Sequence, residues 1–192
     1  MSKVVHEFTV DALDWSPFVT PIDYETASPE QRTALKITPS NTKISAYVLV
    51  LAHDPESLES RSPLFNIIMM GKGGLSRGDR ELGAMGASAV NGCVYCMSVH
   101  ARNFNTFGKR PDVVEEIFAH GTKARLDEHH AAIFDFAARL SENPPAAGAP
   151  DIARLRAAGL NEEEIVDLIH SAALFGWANR LMHTLGEPVR KG

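Results

Sequence analysis

Only two cysteines occur in 192 residues. A disulfide-stapled scaffold is thereby excluded, and the length is ample for a core that needs no covalent support. No apolar run approaches the roughly 20 residues of a membrane-spanning helix, so no membrane partner is expected. Basic charge is also short: 19 Lys and Arg stand against 24 Asp and Glu, a formal net charge of −5. The cations are scattered, which argues against a nucleic-acid partner, because phosphate binding needs a concentrated basic surface. The opening MSKVVHEFTVDALDWSPF lacks the uninterrupted apolar core of a secretory signal and carries acids that a mitochondrial transit peptide avoids. A cytoplasmic location is the expectation. Sustained strand-like alternation is missing as well, although SAYVLVLA reads either way.

What remains is helical patterning, and the expected class is all-α, an antiparallel multi-helix bundle. Residues 1–27, rich in Asp, Pro and Thr, read as an extended arm on the domain or a neighbouring subunit, and 28–192 as a single helical domain. Ser28-Pro29-Glu30-Gln31 combines an N-cap, a first-turn proline and a capping-box glutamine, predicting a helix over 29–37. Further helices are expected at 43–53 and in parts of 55–71, where Pro63 should break or restart the chain. Ser76-Arg77-Gly78-Asp79 opens a helix that ends at Asn91-Gly92, and a fresh one runs from Cys93 to about Phe107. Others follow at about 111–120, 127–141, 150–158 and 162–185. The last begins at the Asn161–Glu164 cap, closes at Gly186 and Pro188, and reads as a central or interface element.

Both cysteines sit in ELGAMGASAVNGCVYCMSVHARNF, the stretch from Glu81 to Phe104. Cys93, Cys96 and His100 lie within about 60° of one another on a helix, so their side chains share one face. If the chain reverses at Asn91-Gly92, then at about 1.5 Å of rise per residue His100 lies roughly 10 Å from the turn and Glu81 roughly 14 Å. Glu81 can then reach His100 directly or through a water. A redox pair, a metal site and simple packing could each account for the cluster. In the redox reading a thiolate in the first helical turn is stabilised by the helix dipole, His100 takes the thiol proton and Glu81 holds the imidazolium. Peroxide attack would leave Cys96 as a sulfenic acid that Cys93 condenses to a disulfide. In the zinc reading Cys93, Cys96, His100 and Glu81 are the four ligands. In the packing reading the cysteines are small buried apolar residues.

The pattern E-x11-C-x2-C-x3-H, with NGC-x-YC inside it, resembles the alkylhydroperoxidase D-like group of the carboxymuconolactone decarboxylase superfamily, and in particular its peroxidase-related branch. A looser likeness runs from ASPEQRTALK through LAHDPESL to NRLMHTLG, over roughly 28–186. The resemblance implies an all-α homo-oligomer with peroxide-reducing or thiol-disulfide activity; the leading expectation is a hydroperoxide substrate, a thiol or dithiol reductant and no bound cofactor. Matched position by position, Cys96 corresponds to the peroxide-attacking cysteine, Cys93 to its partner, and His100 and Glu81 to the relay histidine and carboxylate. Tyr95 departs from the founding alkylhydroperoxidase, which carries a histidine there, and packing or pocket lining is its expected role. Decarboxylases of the superfamily generally lack the cysteine pair, which weighs against lactone decarboxylation. A disulfide reductase or adaptor serving another peroxidase, and a non-redox zinc-binding or structural oligomer, are the alternatives. His53, His120, His170 and His183 have no partner pattern, and the adjacent His129 and His130 point in different directions on a helix and are expected to be exposed. Trp177, Asn179 and Arg180 read as interface or structural residues, and Met69-Met70 as core.

Overall fold

The short residues of one helix set the architecture. In the computed structural model, which describes residues 3–39 and 42–190, the segment Arg77–Val90 is a helix whose residues from Arg80 to Ser88 are all buried. A β-carbon added at Gly86 would lie 2.7 Å from Ala137 Cβ and 2.9 Å from the Phe134 carbonyl oxygen; at Gly83 it would lie 2.8 Å from Leu168 Cδ1. Glycine at these two positions therefore lets neighbouring helices approach to near backbone contact.

In chain order the elements are β1 (Leu13–Pro17), α1 (Pro29–Ala34), α2 (Ala46–Leu51), α3 (Pro55–Met70), α4 (Arg77–Val90), α5 (Val94–Phe107), α6 (Pro111–His120), α7 (Glu128–Ser141), α8 (Ala149–Ala157), α9 (Glu162–Leu185) and β2 (Gly186–Arg190). The fold is an all-α bundle with the cysteine motif at a helical hairpin. Helix α4 is its hub, packed by α5, α7 and α9. The long α9, read from sequence as a central or interface element, flanks that hub and leaves Val166 and Trp177 exposed. One core joins Leu82, Met85, Met97 and Phe104 to Phe134 and Leu168; a second joins Phe65, Met69, Ala84, both cysteines and Phe175. No helix among the described residues is long and apolar enough to cross a membrane.

The capping signals formed as helix starts. Ser28 with Gln31 and Asn161 with Glu164 are reciprocal boxes, while Ser76 accepts the Asp79 N–H. Pro63 departs from expectation, since α3 runs unbroken through it. Its missing N–H frees only the Glu59 carbonyl, both residues lie on the exposed side, and Leu58, Ser62, Phe65 and Met69 bury the opposite face.

The two strands were not expected. They pair antiparallel, Leu13 with Arg190 through Pro17 with Gly186, and join opposite ends of the chain. Trp15 fixes the pairing: its indole N–H donates to the Met182 carbonyl at 3.3 Å, and its ring covers the place where a Gly186 β-carbon would stand. Five-residue strands containing Pro17 and Pro188 carry too little pattern to be read locally.

Candidate active site

Gly92, at φ 64°, makes the left-handed turn between α4 and α5, and the Cys93 N–H closes it by donating to the Ser88 carbonyl at 3.0 Å. Cys93 is thus the N-cap of α5 and Cys96 its third residue. The reversal sets α5 beside α4. Glu81 Oε2 meets His100 Nδ1 at 2.5 Å, a direct contact between two buried side chains. The other carboxylate oxygen accepts from Arg77 Nε at 2.6 Å and from Asn103 Nδ2 at 3.3 Å. Burial alone would raise the Glu81 pKa, but His100 and then Arg77 outweigh it, and the carboxyl is held below its ordinary range. His100 stands edge-on to Phe175, with ring centroids 4.1 Å apart. Its Nδ1 engaged, the ring has Nε2 left for proton exchange.

His100 and Cys96 make no hydrogen bond with each other among the described residues; they meet in a cavity of about 580 Å³ that Glu81, Tyr95, Phe65 and Phe175 also line. Cys93 opens instead onto a smaller cavity of about 250 Å³, walled by Val5, Trp15 and Gly186. The two sulfurs are electrostatically unequal. The Cys96 thiol lowers the Cys93 pKa against the opposing effect of burial, and the Cys96 and Tyr95 backbone amides add to the lowering. Cys96 moves the other way: Cys93, then burial, push its pKa well above the ordinary thiol value, and Arg61 only partly offsets them. Cys93 is therefore the more acidic of the two thiols, whereas the helix-dipole argument expects the lower pKa on the thiol poised for attack. The reason is the pairing itself, in which one sulfur donates and the other accepts.

Two residues of the cavity were missed from sequence. Arg61 of α3 covers the Phe65 ring at 3.9 Å, with Nε and Nη1 buried and without hydrogen-bond partners among the described residues. The Tyr47 hydroxyl is likewise buried and unpartnered. Arg61 and Tyr47 are close enough to influence one another, but not in hydrogen-bonding geometry. Burial raises the Tyr47 pKa and keeps it a neutral phenol. The signal for Arg61 was positional: it is three residues after Leu58 and four before Phe65, on the buried stripe of its helix.

The donor set does not suit zinc. Among the described residues no three His, Cys, Asp or Glu side chains converge as metal ligands, and the Glu81 oxygens are committed to Arg77, Asn103 and His100.

Residues 55–139, the segment that carries Glu81, both cysteines and His100, match the carboxymuconolactone decarboxylase family. Among solved structures, an alkylhydroperoxidase core, a peroxidase-related protein from Ralstonia eutropha JMP134, is 28% identical over 72% of this chain and 74% of its own, with a TM-score of 0.64. The chain is thus similar to alkylhydroperoxidase D-like proteins of the carboxymuconolactone decarboxylase superfamily. A peroxidase-related protein from Silicibacter sp. TM1040 is 25% identical, covering 88% of this chain and 91% of its own at a TM-score of 0.70. The debrominase Bmp8, at 20% identity, 88% and 90% coverage and a TM-score of 0.71, shares the fold. A search of curated proteins gives no match. The superfamily is one of enzymes, and its alkylhydroperoxidase-like members carry peroxidase-related names.

Proposed function

We propose that this protein is a thiol-dependent peroxidase that reduces hydroperoxides through Cys96 and Cys93. The observation that supports this best is that Cys96 shares one cavity with a histidine whose Nδ1 is bound to a buried carboxylate. A thiol with a raised pKa needs a base at the moment of reaction, and His100 Nε2 takes its proton while Glu81 holds the imidazolium. The Cys96 sulfur attacks the terminal peroxide oxygen, an S–O bond forms and the O–O bond breaks. The departing alkoxide takes the proton from His100 and leaves as an alcohol. Cys96 is now a sulfenic acid; Cys93 attacks its sulfur, and water departs with the Cys93 proton. The sum is one hydroperoxide and two thiols to one alcohol, one water and one disulfide. A dithiol reductant reopens the disulfide. Cys93, with the lower pKa, is the better leaving group, so attack falls on Cys96 from the same cavity.

A second reading has its own support. Cys93 combines a lowered pKa with its own cavity, which suits exchange with an external disulfide and a role as adaptor to another peroxidase. Purified protein supplied with dihydrolipoamide separates the two. The peroxidase consumes cumene hydroperoxide in steady state; an adaptor reduces a small disulfide rapidly and leaves the hydroperoxide level unchanged. The protein is proposed to work as a homo-oligomer in the cytoplasm, whose reducing conditions return the thiols. Exposed Leu64 and Ile67 on α3 and Trp177 on α9 support assembly.

A further inference from the structure

Besides Cys96 and His100, the larger cavity holds charges that the thiol chemistry does not use. Its ionic lining comprises Arg61, Arg77, Lys43 and Glu81. Glu81 is the sole carboxylate among them, and its oxygens are taken by Arg77, Asn103 and His100. Arg61 is left without an anion. Two of its guanidinium nitrogens are buried and make no hydrogen bond among the described residues, and the Tyr47 hydroxyl nearby is in the same condition. An unpaired buried charge is unfavourable, and a fold keeps one where a ligand completes it. Phe65 braces the guanidinium from below. Further along the wall, Met69, Phe175, Ala178 and Met182 are apolar. A cavity of about 580 Å³ falls within the range of small-molecule sites.

We propose that Arg61 anchors the carboxylate of an amphipathic acid whose apolar body lies against Phe65 and Phe175, so that the preferred substrates are hydroperoxides bearing a carboxylate. The planar guanidinium fork matches a carboxylate in a way that an isolated point charge does not, and the neutral Tyr47 phenol is a further donor beside it. Hydrogen peroxide, or a neutral alkyl hydroperoxide, leaves the Arg61 charge uncompensated. The substrate class rests on the peroxidase reading; the anion site does not.

Two measurements keep these apart. Calorimetric titration with 4-isopropylbenzoate and the isosteric 4-isopropylbenzamide requires no turnover. The wild type is expected to bind the carboxylate about tenfold or more tightly than the amide, the scale of a charge-assisted hydrogen bond, and Arg61→Met to lose that preference, with Arg61→Lys keeping part of it. Equal binding of the two probes by the wild type overturns the proposal. Thermal unfolding of Arg61→Met, expected at or above the wild-type midpoint because an unpaired buried charge is gone, confirms that the variant is folded. In turnover, the ratio of kcat/KM for para-carboxylated cumene hydroperoxide to that for cumene hydroperoxide should fall about tenfold or more in Arg61→Met. An unchanged ratio, with both substrates slowed together, would mean that Arg61 serves the Cys96 sulfur rather than the substrate. A carboxylate preference in binding with no turnover of either hydroperoxide would overturn the peroxidase reading and leave the anion site standing.

Discussion

Replacement of Cys96 by serine is expected to lower hydroperoxide consumption by about three orders of magnitude or more, as loss of the attacking nucleophile does elsewhere. Cys93→Ser should behave differently. Cys96 keeps its cavity, His100 and the route to hydroperoxide, so the first attack proceeds, but the sulfenic acid has no partner sulfur. The variant should consume one equivalent per chain, stop, and become reactive toward dimedone at Cys96. The electrostatics sharpen the comparison. Cys93 is the sulfur whose pKa is lowered, and Cys96 is the one whose pKa is driven up by its neighbour and by burial. If charge alone chose the nucleophile, Cys93 would attack and the variant phenotypes would exchange. Mass spectrometry of each variant after one equivalent of cumene hydroperoxide decides the matter. Sulfenic acid on Cys93 in Cys96→Ser, together with an inert Cys93→Ser, would reverse the assignment.

Glu81→Ala carries the second large effect, on stability as well as on rate. The carboxylate is fully buried and faces both His100 and Arg77, so its removal strands two partners. Breaking a buried pair from one side costs about 3–5 kcal/mol. Glu81→Gln retains shape and an acceptor oxygen and should lose less. The pH dependence has a definite sign. The folded-state Glu81 pKa lies below its ordinary 4.5, so the unfolded chain binds the proton more readily. The stabilisation is complete above the ordinary value and is lost as pH falls through the lower folded one. Denaturant unfolding between pH 7 and 3 should therefore show wild-type stability declining toward acid more steeply than that of Glu81→Gln. Parallel profiles would show that the Glu81 charge does not contribute to the folded state.

Local signals were read well from the sequence because their physics is local. The Asn91-Gly92 pair and the capping residues Ser28, Ser76 and Asn161 act over three or four residues, and the α4–α5 hairpin that brings Glu81 to His100 follows from a turn and a rise per residue. The pairing of β1 with β2 depends on residues some 170 apart in sequence, and neither strand is long enough to show alternation by itself. Pro63 misled for a related reason: whether a proline ends a helix depends on which face the lost hydrogen bond occupies, and that is set by packing. The identities in the Cys-x-x-Cys-x-x-x-His cluster were legible, but not which thiol would have the lower pKa, since that depends on how the sulfurs and amides of one helical turn face each other. Arg61 was passed over because an arginine on a helix ordinarily reaches solvent. Only the fold shows that two of its guanidinium nitrogens are buried at a cavity without a partner among the described residues.

The account turns on the two thiols acting together on a hydroperoxide. Thiol titration of the fully reduced wild-type protein before and after one equivalent of cumene hydroperoxide tests this directly. Both thiols per chain should disappear together, with one alcohol formed, and both should return on addition of dihydrolipoamide. Two thiols remaining, with the hydroperoxide intact, would contradict it.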